Sequence, residues 1–135
     1  MSEYHHRLEL KVRDYECDIQ GVLNNSVYQN YLEHARHEFL LAAGVSFAEL
    51  ALRQVNLVVV RAELEYKQSL RPGDCCWVGT RLERPSRLRF DFCQDIFRED
   101  GVQALKARVT GTAVNDRGRP FLPPELAALF DRFCG

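Results

Sequence analysis

Leu8, Leu10 and Val12 stand between Arg7, Glu9, Lys11 and Arg13, a period of two that predicts a strand with one face buried. The next dozen residues, DYECDIQGVLNN from Asp14 to Asn25, show no period and hold a Gly and two Asn, the composition of a loop. Ser26 then opens an S-x-x-Q capping box with Gln29. From there Tyr28, Tyr31, Leu32, Ala35, Phe39 and Ala42 recur at helical spacing, which predicts a long, one-sided helix ended by Gly44 in the left-handed conformation. Ser46 and Glu49 form a second capping box. It opens a short helix expected to stop near Arg53 and to carry Phe47, Leu50 and Ala51 toward the core.

Four strand signals follow. In the first, Val58, Val60, Ala62, Leu64 and Tyr66 alternate with Val59, Arg61, Glu63, Glu65 and Lys67, so the even positions form the expected buried face. Arg71-Pro72-Gly73-Asp74 reads as a type II turn, since Pro fixes the first central dihedral and Gly tolerates the positive φ of the second. It predicts a hairpin into a strand from Cys75 to Leu82. Arg84-Pro85-Ser86 breaks the pattern, after which Leu88, Phe90, Phe92 and Ile96 alternate with Arg87, Arg89, Asp91 and Asp95. Glu99-Asp100-Gly101 makes the next turn. The last strand is expected from about Val102 to Asn115, with Leu105, Ala107, Val109 and Ala113 inward, and Asp116-Arg117-Gly118 closes it. Pro123-Pro124 ahead of Leu126, Leu129, Phe130 and Phe133 predicts a short amphipathic C-terminal helix. The order is that of an α+β domain in which one helix lies against a curved antiparallel sheet. Such a sheet has edges, and with Trp77 and Val59 facing outward those edges predict pairing of two subunits.

Composition narrows the partners. A chain of 135 residues with 46% hydrophobic and 27% charged residues fits one globular domain, 1–135, and excludes disordered and disulfide-dense classes. Eighteen Lys and Arg against nineteen Asp and Glu leave a net charge of -1, so no global field draws the protein to nucleic acid or to an anionic membrane. The cysteine count of five is odd, no C-x-x-C occurs, and MSEYHHRLEL lacks the apolar run of a leader, which together predict a reduced, cytoplasmic protein. No apolar stretch approaches the ~18 residues a bilayer span requires. Even Val55 to Val60 is interrupted by Asn56. The absence of G-x-S-x-G, H-E-x-x-H and G-x-G-x-x-G argues against serine hydrolase, zinc protease and dinucleotide chemistry.

The segment from Arg13 through Asp18, Gly21, Asn24, Asn25 and Tyr28, continuing to Tyr31, Glu33 and Arg36, resembles the active-site signature of hotdog-fold acyl-CoA thioesterases, the 4-hydroxybenzoyl-CoA thioesterase-like group. The shared pattern is an Asp, a Gly, a short apolar stretch and a helix bearing Tyr, Glu and Arg. The resemblance covers nearly the whole chain. It implies a hotdog fold, in which a long central helix is wrapped by a five-stranded antiparallel sheet. It also implies active sites formed between the subunits of a homodimer or dimer of dimers, and hydrolysis of acyl-CoA to carboxylate and free CoA.

The residues suit that chemistry. Thioester hydrolysis needs a base or nucleophile beside the carbonyl and donors for the developing oxyanion. Asp18 offers a carboxylate that accepts a proton or attacks directly, and the sequence leaves both routes open. The first backbone N–H groups of the long helix have no intrahelical partners and lie at the positive end of its dipole. By the family pattern the donor is the residue seven after the Asp, here Asn25. Gly21 would let the backbone approach the thioester, and Tyr28 or Tyr31 would wall the pocket. Arg84, Arg87 and Arg89, with Arg81 and with Lys67 and Arg71 nearby, form a basic cluster suited to the phosphates of a coenzyme A nucleotide.

Other groupings point to structure. Glu33 and Arg36, three apart on the helix, are expected to pair. His34 and His37 match no closed metal set and belong on a solvated face. Asp14, Glu16 and Asp18 lack the glycine-spaced frame of a calcium loop, and the adjacent Cys75 and Cys76 point to opposite faces. No metal and no separate cofactor is expected, coenzyme A being part of the substrate. An acyl carrier protein is the alternative source of the thioester. A hotdog domain that binds acyl-CoA or acyl carrier protein without turnover is the alternative function.

Overall fold

The computed structural model describes residues 3–134, all but the side chain of Phe47. The elements are β1 (His6–Lys11), a 3-10 turn (Asp14–Glu16), α1 (Asn25–Ala42), α2 (Phe47–Leu52), β2 (Asn56–Tyr66), β3 (Cys75–Glu83), β4 (Arg89–Arg98), β5 (Gln103–Val114) and α3 (Pro124–Cys134). The strands form one sheet in the order β1-β3-β4-β5-β2, with every neighbouring pair antiparallel. The sheet cradles α1, which buries Tyr28, Tyr31, Leu32, Ala35, Phe39 and Leu40 against it. This is the helix-and-sheet arrangement that the hotdog resemblance implies.

Several expectations are corrected by tertiary context. Helix α1 starts before Ser26: Asn24 is its N-cap, and Asn24 Oδ1 accepts the Ser26 N–H at 3.1 Å and the Ser26 hydroxyl at 3.0 Å. Ser26 therefore spends its hydroxyl on the cap instead of forming one. Ala42 is exposed, because the helix buries Leu40 in the last turn instead. In α2 Leu50 is buried but Ala51 is exposed; the Phe47 side chain lies outside the described residues.

The turn at Arg71-Pro72-Gly73-Asp74 forms, with the Asp74 N–H on the Arg71 carbonyl at 3.1 Å and Gly73 at φ +86. It is not a hairpin. β2 lies at one edge of the sheet and β3 beside β1 at the other, and the turn bonds to the end of β1 through Gly73 N–H to Val12 O and Val12 N–H to Asp74 O, both 2.9 Å. A turn sequence sets local reversal; which strands then pair is decided over the whole sheet.

β2 departs most from its pattern. Its register jumps from Val59↔Gly111 to Arg61↔Thr110, so Val60 is an extra, bulged residue and the inward parity flips. Leu57 is half-buried before the bulge and Leu64 after it. Val58, Val59, Val60 and Tyr66 stay exposed, Val59 at 55%.

The core divides into two clusters joined by α1. One gathers Tyr28, Tyr31 and Leu32 with Leu23, Leu70 and Ile96; the other gathers Phe39 and Leu40 with Phe90, Phe92 and the α3 residues Leu126, Leu129 and Phe130. Buried Gln94 sits beside α1, its amide donating to the Leu32 carbonyl at 3.0 Å and to Thr80 Oγ1 at 3.2 Å.

Candidate active site

The loop between β1 and α1 is a small hairpin. The Asn24 N–H bonds to the Glu16 carbonyl at 3.0 Å, Cys17 bridges Leu23, and the Asp18 N–H bonds to the Val22 carbonyl at 2.9 Å. At the tip the Gly21 N–H returns to the Asp18 carbonyl at 3.0 Å, with Gly21 at φ +76, where an L side chain would be strained. No heavy atom lies within 4 Å of the position a Gly21 Cβ would take, so the space in front of this backbone is open.

Asp18 is exposed at this tip. Its Oδ1 accepts the Gln20 N–H at 2.9 Å and the Val22 N–H at 3.5 Å, which fixes the carboxylate on its own turn. Oδ2 accepts nothing from the described residues and faces solvent. Asn25, the first residue of α1, follows directly from the base of the same hairpin. Asn24 caps the Ser26 N–H, and the Val27 N–H returns to the Asn24 carbonyl at 2.9 Å. The Asn25 N–H is left without a protein acceptor, at the positive end of the helix dipole.

Glu16 ties these pieces together, a role that sequence reasoning missed. Its Oε1 accepts the Arg13 N–H at 2.9 Å and the Tyr31 hydroxyl at 2.7 Å, and its side chain is only 11% exposed. Tyr31 thus anchors the loop to α1. Burial, and then the bond to Glu16, push its phenol above the ordinary tyrosine range, so it stays a donor. Tyr28 is equally committed, accepting the Leu70 N–H at 3.1 Å, and burial raises its phenol as well. Both rings back the hairpin from inside the core. Cys17, next to Asp18, is no rival nucleophile: burial, followed by Asp18, Glu16, Asp14 and Asp74, raises its thiol pKa, which keeps it protonated at neutral pH.

The basic cluster is not gathered as expected. Arg84, Arg87 and Arg89 lie around the β3–β4 connection, at the opposite end of the sheet from the Asp18 hairpin and separated from it by the length of β3, roughly 27 Å at ~3.4 Å per residue. Arg84 donates to the Ser86 and Arg87 carbonyls at 3.3 and 3.0 Å and lies over the Phe130 ring. Arg81 leaves the group to pair with Glu83 at 3.1 Å. Lys67 and Arg71 follow the far end of β2 and stand at the hairpin's end of the sheet, because β2 runs antiparallel to β5 with Tyr66 opposite Leu105. Within one chain, therefore, Asp18 and Gly21 sit at the tip of the hairpin whose base runs into Asn25, Tyr28 and Tyr31 stand behind it, and the three arginines are remote.

The expected Glu33–Arg36 pair is also replaced. Glu33 meets His37 at 3.8 Å, while Arg36 turns inward to donate to Gln94 Oε1 at 3.1 Å. The signal for Gln94 was present in the chain: it occupies an even, inward position in a strand where Phe90, Phe92 and Ile96 hold the neighbouring even positions. No grouping of three or more His, Cys, Asp or Glu suited to a metal occurs among the described residues. Nor is any of their helices long and apolar enough to cross a membrane.

Residues 12–130 match the model of a family described as the thioesterase-like superfamily. The chain belongs to the thioesterase-like superfamily. It is 36% identical, over 98% of its length and 70% of the relative's, to an acyl-acyl carrier protein thioesterase, ATL3, of the Arabidopsis thaliana chloroplast. A crystal structure of a hypothetical protein from Aquifex aeolicus superposes with a TM-score of 0.86 at 31% identity, covering 92% of this chain and 98% of that one. The 1,4-dihydroxy-2-naphthoyl-CoA thioesterase of Synechocystis shares the fold at a TM-score of 0.88 and 16% identity, over 96% and 97% of the two chains. These likenesses establish the hotdog architecture and make this superfamily member a thioester hydrolase in kind.

Proposed function

We propose that this protein hydrolyses an acyl-CoA thioester to carboxylate and free CoA. The observation that carries the reading is the pairing, on one hairpin and the helix it enters, of a backbone N–H without an acceptor at Asn25 and a carboxylate oxygen without a donor on Asp18. A thioester carbonyl set against the Asn25 N–H is polarised, and the oxyanion formed on attack is met by a fixed donor and the helix dipole. Asp18 serves from the open side, as general base for a water or as the attacking nucleophile. Collapse of the tetrahedral intermediate expels the CoA thiolate, giving the carboxylate directly on the general-base route. On the nucleophilic route it leaves an acyl–Asp18 anhydride that a water then hydrolyses, releasing the carboxylate and restoring Asp18. Gly21 keeps the approach clear, and Tyr28 and Tyr31 hold the wall behind it.

The reading includes a homodimer, with a dimer of dimers as its extension. β2 is an unpaired edge carrying exposed valines, a surface suited to a second copy of itself. Antiparallel pairing of two β2 edges turns the partner's sheet end for end. It brings the partner's β3–β4 connection to the same end as this chain's Asp18 hairpin, where its arginines can hold the phosphates of CoA. The free thiols of all five cysteines suit a reducing compartment such as the cytoplasm. A thioester on acyl carrier protein is the second reading, favoured by the name of the Arabidopsis relative; an acyl-binding domain without turnover is the alternative to both.

The test is thiol release from aryl, short-chain and long-chain acyl-CoAs and one acyl carrier protein thioester, comparing the native protein with Asp18→Asn. Turnover is expected to fall about 10²–10⁴-fold in the variant. Full activity in Asp18→Asn would remove Asp18 from the mechanism. Ligand binding without thiol release in the native protein would replace hydrolysis by acyl binding.

A further inference from the structure

Along α1, beside its core-facing side, Asn25, Gln29, Glu33, Arg36 and Leu40 follow one another three or four residues apart, a spacing that keeps them on one face. The stripe begins at the open Asn25 N–H. At its other end a cavity of about 190 Å³ opens between α1 and the first half of β2. Its walls are hydrocarbon, chiefly Leu57, Phe90, Phe92 and Val109, and its polar side comes from α1 alone, as Glu33, Arg36 and His37.

Arg36 is under-satisfied there. Its bond to Gln94 Oε1 is the one hydrogen bond it makes among the described residues, out of the five N–H donors a guanidinium carries. No carboxylate comes within ion-pair distance of it, Glu33 being engaged with His37. Water can serve the remaining donors while the cavity is open. A plain alkyl tail would strip that water and return nothing, whereas an oxygen acceptor would take its place. A neutral oxygen suits the cavity better than a carboxylate, because Glu33 lines the same cavity and its carboxylate opposes a second negative charge there.

We propose that this cavity receives the far part of the acyl chain and that Arg36 selects chains bearing a neutral oxygen acceptor, a carbonyl or a hydroxyl, over plain alkyl chains of equal length. The proposal rests on thioester hydrolysis at Asp18 and Asn25. The span from Asn25 to Arg36 is about 16 Å at ~1.5 Å of rise per residue. Because a helical side chain leans toward the N-terminus, the Arg36 guanidinium shortens it to about the reach of an acyl chain of roughly eight to twelve carbons.

The experiment compares decanoyl-CoA with its 9-oxo derivative, in the native protein and in Arg36→Met, which keeps the length of the stem without its donors. Butyryl-CoA, too short to reach the cavity, reports on hydrolysis itself in the native protein. The native kcat/KM is expected to favour the oxo chain by about tenfold, and Arg36→Met to bring the ratio close to one. Equal rates on the two long chains in the native protein overturn the proposal whatever the variant does. So does a preference that survives in folded Arg36→Met. Turnover of butyryl-CoA and decanoyl-CoA without an oxo preference removes the selection and leaves hydrolysis standing; no turnover of any of the three thioesters removes both.

Discussion

At the end of the sheet where β1 gives way to the Asp18 hairpin, backbone hydrogen bonds define the position of the proposed reacting groups. Asp18 is held by the N–H groups of Gln20 and Val22, the helix entry by Asn24, and the whole loop by Glu16 and Tyr31. At the opposite end the β3–β4 connection presents Arg87 and Arg89 to solvent, and Arg84 is spent on its own turn. One end is rigid and nearly neutral in its bonding needs; the other is cationic and adaptable. The contrast suits the two-part acyl-CoA substrate we propose. A reacting carbonyl tolerates little misplacement, while a flexible nucleotide tail is held adequately by charges that move with it.

The comparison is most sharply broken by keeping the two ends apart. Val60 is 45% exposed on the β2 edge and lies outside the cavity beside α1, so Val60→Lys removes little core packing while setting a charge where a second β2 would pair. Sedimentation is expected to show the native protein as a dimer or larger and the variant as a folded monomer. Its thioesterase kcat/KM should fall about 100-fold, the scale of loss that misplacing a substrate produces. Native mass together with native activity in the variant would dismiss the shared-site arrangement.

A smaller loss tests the rigidity of the hairpin end. Tyr31→Phe deletes the hydroxyl that bonds Glu16 Oε1 at 2.7 Å and changes nothing that touches substrate. With one donor gone from a carboxylate that is mostly buried, stability is expected to drop by about 1–3 kcal/mol. The loop's freedom should lower kcat about tenfold, or ~1.4 kcal/mol, with KM nearly unchanged. Steady-state kinetics and thermal melts separate the two effects. A melt that shifts while kcat holds would confine the Tyr31–Glu16 bond to stability.

How far these features could be read in the chain follows from how local their causes are. The β1 alternation, the one-sided run of the long helix from Tyr28 to Phe39, the Gly73 turn, the inward Phe90, Phe92 and Ile96 of β4 and the inward face of β5 depend on neighbours in sequence and stand as read. Asp91, read as outward, is instead buried and bonded to Arg108 and Thr110. The pairing of β2 depends on β5, nearly fifty residues away, and on a bulge at Val60 that reverses its parity; hydropathy alone cannot signal an extra residue. That Asp18, Gly21 and Asn25 share one loop and helix entry was legible because they are close in sequence. The roles of Glu16 and Arg36 were not, since each is decided by a contact across the fold, with Tyr31 and with Gln94. The arginine cluster shows the complementary failure. Proximity in sequence to one turn was real, but Arg81 belongs to the outer face of the sheet with Glu83, and Lys67 and Arg71 to the hairpin end.

The smallest expected effect comes from the cationic end itself. Arg87 and Arg89 are exposed and make no ion pair among the described residues, so replacing both by Ala costs the fold almost nothing. Exposed charge pairs contribute about 0.2–1 kcal/mol each, about 0.5 in the middle of that range, which places the expected rise in KM for acyl-CoA at about fivefold for the double variant. Because screening shortens to about 10 Å at 0.1 M salt and about 3 Å at 1 M, added salt should raise the native KM toward that of the variant and leave the variant's own KM flat. A short N-acetylcysteamine thioester, which has no nucleotide phosphates, should show neither the arginine effect nor the salt effect. If the double variant slows that truncated substrate as much as acyl-CoA, the arginines act on the fold of their own turn, and the division between a reacting end and a phosphate-holding end does not hold.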